Sequence, residues 1–458
     1  MRTHTRTRPR TPRPSPSGTR RDLYAAGVAV LLVLAAVLIG RHIEDTAHTL
    51  FVGWPPLLAS WGPHVGPGTP AAVLIAAAAV VYGPGLAARL RWRTLLAVAW
   101  ASSLAWIVSL ALIDGWQRGI AGRLTTRYEY LQVIDRFRDI PAALNTFTEH
   151  ILSGSPDHWP AHVAGHPPAA TLTFVLLDRA GLRGGGWAGM WCVVLGATAC
   201  VAVLVAVRAL AGEGLARRAA PFLVLAPAAV WLGTSADAYF AAVAAWAVAL
   251  LALALTRGSL TAAGGSGLLF GLTCYLSYGL TLMAVIGAAV VLLARRGLRA
   301  RPALLVPFVV GLAVVPGLFT LAGFDWWEGY RLLLTRYDQG AGGIRPYGYW
   351  IWANLACTVL ITGLATAAGL RRTGAALLPG GRAPATGDIR LAVLVTGALL
   401  AVLIADLSGM SKAETERIWL PFALWLLPCC AFLERPRAWL AAQAVLALLL
   451  NHLLRTGW

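Results

Sequence analysis

The residues that could carry chemistry are mostly acids and histidines in one polar stretch, residues 114–186, and in a compact charged segment near 408–416. Within the first stretch, Glu129 opens a series of apolar residues at helical spacing, from Tyr130 to Ile151. A carboxylate in such a place can act as a general base that accepts a proton from a hydroxyl group. The alternative is that Glu129 caps a helix on the membrane surface.

Three histidines, His158, His162 and His166, recur at every fourth position, which invites a zinc hypothesis. Pro160 and Pro167 interrupt the helix that would align them, and no fourth ligand has suitable spacing. We therefore predict no metal site and no required cofactor; a divalent cation would suit the carboxylates, but the sequence does not support one. His166 directly precedes Pro167 and Pro168 and is either a binding residue or a turn residue held by these prolines.

Asp237 lies in a short turn between two apolar runs. An ionisable group close to the membrane interior is costly, which favours a catalytic role. The alternative is that Ser235 and Asp237 only cap the helix that follows.

The charged segment contains Lys412, the only lysine of the chain, together with Glu416 and Arg417. Lys412 and Glu416 have the i, i+4 spacing of a helical pair, and a Lys/Arg pair at a cavity mouth suits a lipid phosphate. The alternative is that these side chains anchor the helix at the membrane surface. Arg336 stands among tyrosines and tryptophans in residues 323–348, and we predict that it contacts the substrate, although such aromatics are also common at membrane interfaces.

The elements that must position these residues are apolar runs. Of the 458 residues, 58% are hydrophobic and 13% charged, and the mean hydropathy is +0.67; this excludes a soluble enzyme. A spanning helix needs roughly 20 apolar residues, so we predict an all-α, polytopic transmembrane bundle of about 13 spans with a large external loop that carries interfacial helices. The predicted spans are 23–40, 71–88, 94–113, 187–208, 219–233, 238–256, 260–276, 278–294, 303–322, 349–369, 391–407, 417–433 and 438–453.

The net charge of +18 comes from arginines in short clusters between apolar runs, a pattern of membrane topology rather than of nucleic-acid binding. Most arginines fall in one set of loops and most acids in the other. We predict a multi-pass protein of the plasma membrane with a cytoplasmic N-terminus, an extracytoplasmic C-terminus and an extracytoplasmic working face.

We divide the chain into four parts. Residues 1–21 are predicted to be a disordered basic tail, and 22–93 to form two accessory spans with an external loop. Residues 94–256 form the predicted catalytic core with external loop 114–186. Residues 257–458 supply the remaining helices, with external loops 323–348 and 408–416.

Four short segments resemble the GT-C membrane glycosyltransferases, closest to the protein O-mannosyltransferases and the lipid A aminoarabinose transferases. The matching segments are Tyr128-Glu129-Tyr130, Gly165-His166-Pro167-Pro168, Leu225-Ala226-Pro227 and Ser235-Ala236-Asp237-Ala238. The resemblance covers about residues 94–256, and the rest only by topology. That family commonly has an Asp-Glu pair where this chain has Tyr128-Glu129, so a single carboxylate corresponds to the pair.

The resemblance implies an inverting glycosyltransferase that moves a sugar from a polyprenyl-phosphate donor to a glycan or protein hydroxyl outside the cytoplasm. Glu129 and Asp237 would be its catalytic residues, and His166, Lys412, Glu416, Arg417 and Arg336 its substrate contacts. Membrane lipids are further expected partners, and nucleic acid is not. Two alternatives stay open: a transporter or flippase of a lipid-linked or anionic solute, and a non-catalytic partner in cell-envelope assembly.

Overall fold

The computed structural model describes residues 16–378 and 385–457. This part of the chain is helical apart from loops and two three-residue strands, β1 (Ala59–Trp61) and β2 (Leu454–Thr456). The α-helices are α1 (Pro16–Ala47), α2 (Thr69–Arg89), α3 (Trp92–Ala111), α4 (Ile140–Asn145), α5 (Ala161–Ala164), α6 (Ala169–Arg179), α7 (Gly185–Gly196), α8 (Thr198–Ala211), α9 (Glu213–Val224), α10 (Ala229–Leu232), α11 (Ala236–Arg257), α12 (Leu260–Leu276), α13 (Met283–Leu293), α14 (Arg295–Ala300), α15 (Leu305–Leu321), α16 (Trp326–Asp338), α17 (Ala341–Ile344), α18 (Tyr347–Thr362), α19 (Leu364–Leu377), α20 (Thr386–Leu407), α21 (Thr415–Ile418), α22 (Leu420–Ala423) and α23 (Pro436–Leu453). A π-helical turn (Gln117–Ala121) and 3-10 helices at Arg123–Thr125, Tyr130–Phe137, Phe147–His150, Tyr278–Leu282, Pro302–Leu304 and Leu427–Phe432 complete the secondary structure.

Seven helices of the described residues are long and apolar enough to cross a membrane. They are Gly18–Ala47, Thr69–Arg89, Trp92–Ala111, Gly185–Ala211, Ala236–Arg257, Pro302–Leu321 and Thr386–Leu407. Each coincides with a predicted span, because a run of about 20 apolar residues in helical form is about 30 Å long. The all-α membrane bundle is confirmed.

An eighth crossing is formed if α18 and α19, which meet at an angle of 107°, count as one span. Gly363 joins them with φ of +84°, and Gln443 packs against the place where a Cβ atom would lie. A residue with a side chain would be strained there for both reasons. The predicted span 349–369 is therefore a sharply bent pair.

The other predicted spans correspond to shorter elements. Those at 260–276, 278–294 and 417–433 coincide with apolar helices too short to count as spans by length alone. The one at 219–233 is divided between α9 and α10, and the one at 438–453 is α23. The number thirteen therefore stays a prediction.

Residues 130–151 differ from the expected pair of amphipathic α-helices. Tyr130–Phe137 is a 3-10 helix, and Asp139 starts α4 by accepting a hydrogen bond from the Ala142 amide at 3.1 Å. Several of its apolar side chains, including Phe137 and Phe147, are buried, and the 3-10 helix packs against α6. This segment is therefore a layer packed on the bundle.

The large cluster of buried apolar side chains, from Ala26 to Leu454, includes residues of the three predicted parts 22–93, 94–256 and 257–458, and a second, smaller cluster contains Ala36, Tyr349 and Ala413. Most of the predicted tail, residues 1–15, lies outside the described residues, and residues 16–21 begin α1. Strands β1 and β2 pair antiparallel, which places residues 454–456 at the same end of the bundle as residues 59–61. The other domain boundaries stay predictions.

A buried carboxylate fastens α1 to the rest of the bundle. Asp22 is 2% exposed at its side chain and lies 2.7 Å from Arg371 and 2.6 Å from Arg372. Arg372 also pairs with Glu434 at 3.2 Å. One charged cluster therefore joins α1, α19 and the turn before α23.

We expect Asp22→Asn to lower the free energy of unfolding by about 1–3 kcal/mol, because two half-buried arginines lose their counter-charge. Thermal unfolding of the purified protein in detergent measures the change. Asp45→Asn, an exposed acid on the same helix, is the control. Equal midpoints for the two variants would contradict the proposed role of Asp22.

Candidate functional site

The buried guanidinium of Arg417 joins three parts of the chain. Its side chain is 6% exposed, and Nη1 donates a hydrogen bond to Oδ2 of Asp237, which is equally buried. Its Nη2 lies 3.0 Å from Nε2 of His162 and 3.2 Å from Oε2 of Glu414. Segments 180 and 255 residues away in sequence therefore meet at one cation.

These contacts determine how His162 holds Glu129. A guanidinium only donates hydrogen bonds, so Nε2 of His162 must accept, and its proton lies on Nδ1. Nδ1 is 2.8 Å from Oε1 of Glu129 and donates to it. The other oxygen of Glu129, Oε2, is buried and has no hydrogen-bond partner among the described residues. Glu129 does not cap the following helix through its side chain; it is turned toward His162 with one oxygen unused.

His166 and Tyr130 form an aromatic wall beside this pair. Nδ1 of His166 donates to the carbonyl of His162 at 2.7 Å and lies 3.2 Å from the Tyr130 hydroxyl. Burial lowers the pKa of His166 to about 4, although Asp237 opposes the change. Burial and the charge of Glu129 raise the pKa of Tyr130. Both side chains are therefore uncharged at neutral pH and can act there only as hydrogen-bonding or packing groups.

Asp237 occupies the first turn of α11, where the helix dipole stabilises a negative charge. Ser235 does not supply a side-chain cap, because its hydroxyl donates to the Trp231 carbonyl at 2.9 Å. The turn predicted around Asp237 ends at Ser235, so the aspartate belongs to the helix itself, where Arg417 covers it.

The segment before Arg417 is not the helix that the i, i+4 spacing suggested. Ala413 and Glu414 have φ of 72° and 60°, and α21 begins only at Thr415. The predicted Lys412–Glu416 helical pair is therefore wrong, because two successive left-handed residues turn the chain between them.

Lys412 and Glu416 consequently have different surroundings. The Lys412 ammonium donates to the carbonyl of Gly342 at 2.9 Å. Glu416 is fully buried, and its Oε1 accepts from the amide of Leu58 at 3.0 Å. Lys412 thus lies toward loop 323–348, and Glu416 toward loop 41–70, which connects the first two predicted spans.

Arg345 connects this turn to the same loops. It donates to the carbonyl of Lys412 at 2.7 Å and to that of Leu50 at 2.9 Å, and lies 3.6 Å from Glu414. Arg336, the candidate named from the same loop, lies on α16, and within the described residues no hydrogen bond or ion pair links it to the Arg417 cluster. Arg345, rather than the predicted Arg336, therefore contacts the segment that carries Arg417.

Acidic side chains surround Arg417 and affect its ionisation. Burial alone would lower its pKa, but Asp237, Glu414 and Glu129 together raise it. Burial opposes ionisation of Glu414, yet Arg417 and Arg345 hold the pKa of Glu414 below its ordinary value. Glu414 and Arg417 thus keep each other ionised.

The arrangement does not fit a divalent cation. Among the described residues, no group of three or more His, Cys, Asp and Glu side chains is placed to hold a metal ion. Asp237 is already paired with the guanidinium of Arg417, which occupies the place that a cation would need. We therefore assign no chemical step to a metal.

Two residues of the cluster were not selected from the sequence. His162 was considered only as a zinc ligand and set aside because Pro160 interrupts the helix, yet the four-residue helix α5 suffices to place it. Glu414 belonged to the charged segment, but no spacing distinguished it from its neighbours. The signal available for His162 was its position four residues before His166.

No protein-family model matches the sequence, and no curated protein matches it. Among solved structures, the fold is similar to the oligosaccharyltransferase of Archaeoglobus fulgidus in the apo form, with a TM-score of 0.48 and 12% identity over 75% of this chain and 50% of that chain. A structure of the same enzyme in complex with Zn and sulfate gives a TM-score of 0.39 and 13% identity over 76% of this chain and 53% of that chain. The chain thus spans about half the length of these proteins.

The surroundings of Glu416 predict a pH-dependent stability. Burial raises the pKa of Glu416 from 4.5 to about 7. Because the pKa of Glu416 is higher in the folded than in the unfolded state, its contribution to the free energy of unfolding is complete below pH 4.5. This contribution, about 3 kcal/mol, is lost as the pH rises through 7. We expect Glu416→Gln to flatten the unfolding midpoint between pH 5 and 8. The exposed acid variant Glu328→Gln should keep the wild-type slope; a Glu416→Gln profile as steep as wild type would contradict the assignment.

The Arg417–Asp237 pair predicts strong coupling. Arg417→Met should lower the free energy of unfolding by about 3–5 kcal/mol, because it leaves buried acids without a cation. In the double variant with Asp237→Asn, the loss should be smaller than the sum of the single losses by about 1–3 kcal/mol. Denaturant unfolding of the four proteins measures this, with Arg331→Met as an exposed control. Additive losses would show that the pair is not coupled.

Proposed function

We propose that the protein is a GT-C-type membrane glycosyltransferase that uses a polyprenyl-phosphate sugar. The observation that carries the proposal concerns Oε2 of Glu129, a buried carboxylate oxygen for which the described part of the chain supplies no hydrogen-bond partner. His162 holds the same side chain in place through its other oxygen. An oriented carboxylate with one unused oxygen suits a general base. The matching Tyr-Glu-Tyr and His-Pro-Pro segments meet here, since Tyr130 contacts His166.

In the proposed reaction, Oε2 of Glu129 accepts the hydroxyl proton of the acceptor. The acceptor oxygen forms a bond to the anomeric carbon of the sugar from the face opposite the phosphate, and the bond from that carbon to the phosphate oxygen breaks. The configuration inverts, and the polyprenyl phosphate leaves with the electron pair of that bond. The acceptor is a glycan or a protein hydroxyl.

The other site residues take supporting roles in this proposal. Arg417 and Asp237 fix His162, and His162 fixes Glu129. Lys412 stays a candidate for the donor phosphate, since a cation suits that group. Arg336 stays a candidate contact to the substrate, and His166 to the sugar or the phosphate. Arg417, predicted to hold the phosphate together with Lys412, takes a different role because Asp237, His162 and Glu414 occupy its guanidinium. Glu416 positions the segment that carries Arg417. We place this site on the extracytoplasmic side, with the N-terminus in the cytoplasm and the C-terminus outside.

A transporter of a lipid-linked or anionic solute is the second candidate, because α18 and α19 form an interrupted span of a kind that transporters use around their binding sites. The acids and arginines of the site, by contrast, lie beside loops 41–70 and 323–348 at one end of the bundle. Purified protein in vesicles distinguishes the two, since a transporter moves the labelled lipid-linked sugar across the bilayer without an acceptor.

We expect Glu129→Gln to slow transfer by about 10²–10⁴-fold, because it removes the proton acceptor and keeps the shape of the side chain. Glycan and glycoprotein analysis of cells that lack the protein identifies the product, and complementation with wild type or Glu129→Gln measures its restoration. Glu149→Gln, an exposed acid of the same external loop, is the matched control. Full restoration by Glu129→Gln would exclude Glu129 as the base.

A further inference from the structure

A cavity of about 510 Å³ lies between α3, α8 and α11, far from Arg417. Asp237 is in the first turn of α11 and Arg257 is its last residue. At 1.5 Å per residue the two ends of this helix are about 30 Å apart, the thickness of a bilayer core. The cavity thus opens at the end of the bundle opposite to the candidate site.

The lining of the cavity changes from apolar to cationic. Leu96, Val205 and Leu253 line it on the side of the membrane interior, one on each helix. Arg93, Arg208 and Arg257 stand at the helix ends that form its rim. A molecule that fills such a space has an apolar part and an anionic part, in the order found in a membrane lipid.

The arginines of the rim carry more positive charge than the protein neutralises. Arg208 pairs with Glu213 at 2.7 Å and lies over the Trp92 ring at 4.5 Å. Arg93 and Arg257, in contrast, join no hydrogen bond or ion pair within residues 16–378 and 385–457. Guanidinium groups recognise phosphate by paired hydrogen bonds, so these two are suited to an anionic phosphate.

We propose that this cavity binds a phospholipid of net negative charge. Its phosphate lies at the rim with Arg93 and Arg257, and an acyl chain follows Leu253 toward the membrane interior. A zwitterionic lipid binds more weakly, since its ammonium group meets further positive charge. The volume falls within the range of ligand pockets, about 300–1,000 Å³. The proposal does not depend on the glycosyltransferase reaction.

The test counts bound lipid on the full-length protein in neutral detergent by native mass spectrometry. The probes are phosphatidylglycerol and phosphatidylcholine with identical acyl chains, and inorganic phosphate as competitor. The variant Arg93→Gln/Arg257→Gln removes the two rim charges. The control variant Arg89→Gln/Arg296→Gln removes two exposed arginines from the same end of the bundle. Arg89 lies just before α3 in the sequence, and Arg296 belongs to α14, which packs against α11.

We expect wild type and the Arg89/Arg296 variant to prefer phosphatidylglycerol, and the Arg93/Arg257 variant to bind it about tenfold more weakly, because charge-assisted contacts are lost. Leu253→Trp, which fills the apolar part without changing charge, should also weaken phosphatidylglycerol binding. Equal binding of the two lipids, or unchanged affinity in the Arg93/Arg257 variant, would overturn the proposal. Full displacement of phosphatidylglycerol by millimolar inorganic phosphate would also overturn the proposal, because the cavity would then be a site for a simple anion.

Discussion

The structure of the candidate site depends on one buried cation, the guanidinium of Arg417. Three acidic side chains lie around it, Asp237 and Glu414 in direct contact and Glu129 through His162. Taking such charges out of water costs several kcal/mol each, so they are tolerable only when they neutralise one another. The geometry of Glu129 is thus set by ionic contacts between segments that lie far apart in sequence, from residue 129 to residue 417.

The scaffold keeps this cation in place from several sides. The left-handed backbone conformations of Ala413 and Glu414 cost of order 1–3 kcal/mol each. They persist because Arg345 binds the carbonyl of Lys412 and the carboxylate of Glu414 in this turn. Glu416 fastens the next helical turn to Leu58. Hydrogen bonds to loops 41–70 and 323–348 therefore offset the backbone strain of this turn. They hold the segment in the conformation in which Arg417 contacts α11.

Helix α11 separates two electrostatic environments. Its first turn carries Asp237, which is buried against the guanidinium of Arg417, and its last residue is Arg257, beside a cavity whose rim is mainly cationic. Acids favour helix N-termini and bases helix C-termini, so the helix dipole supports both ends. The same helix therefore presents a buried cluster of paired opposite charges at one end and an anion-attracting surface at the other.

The sequence by itself determined the membrane-spanning helices, because burial of apolar runs in lipid is a local property of about 20 residues. It also marked Glu129, Asp237 and Arg417, since charges near apolar runs are costly. Only the tertiary structure brought these three together, and it separated Lys412 from Glu416 by a turn that no spacing revealed. The position of His162 between an acid and a guanidinium, and the bend at Gly363, likewise depend on packing between segments far apart in sequence, which local patterns do not encode.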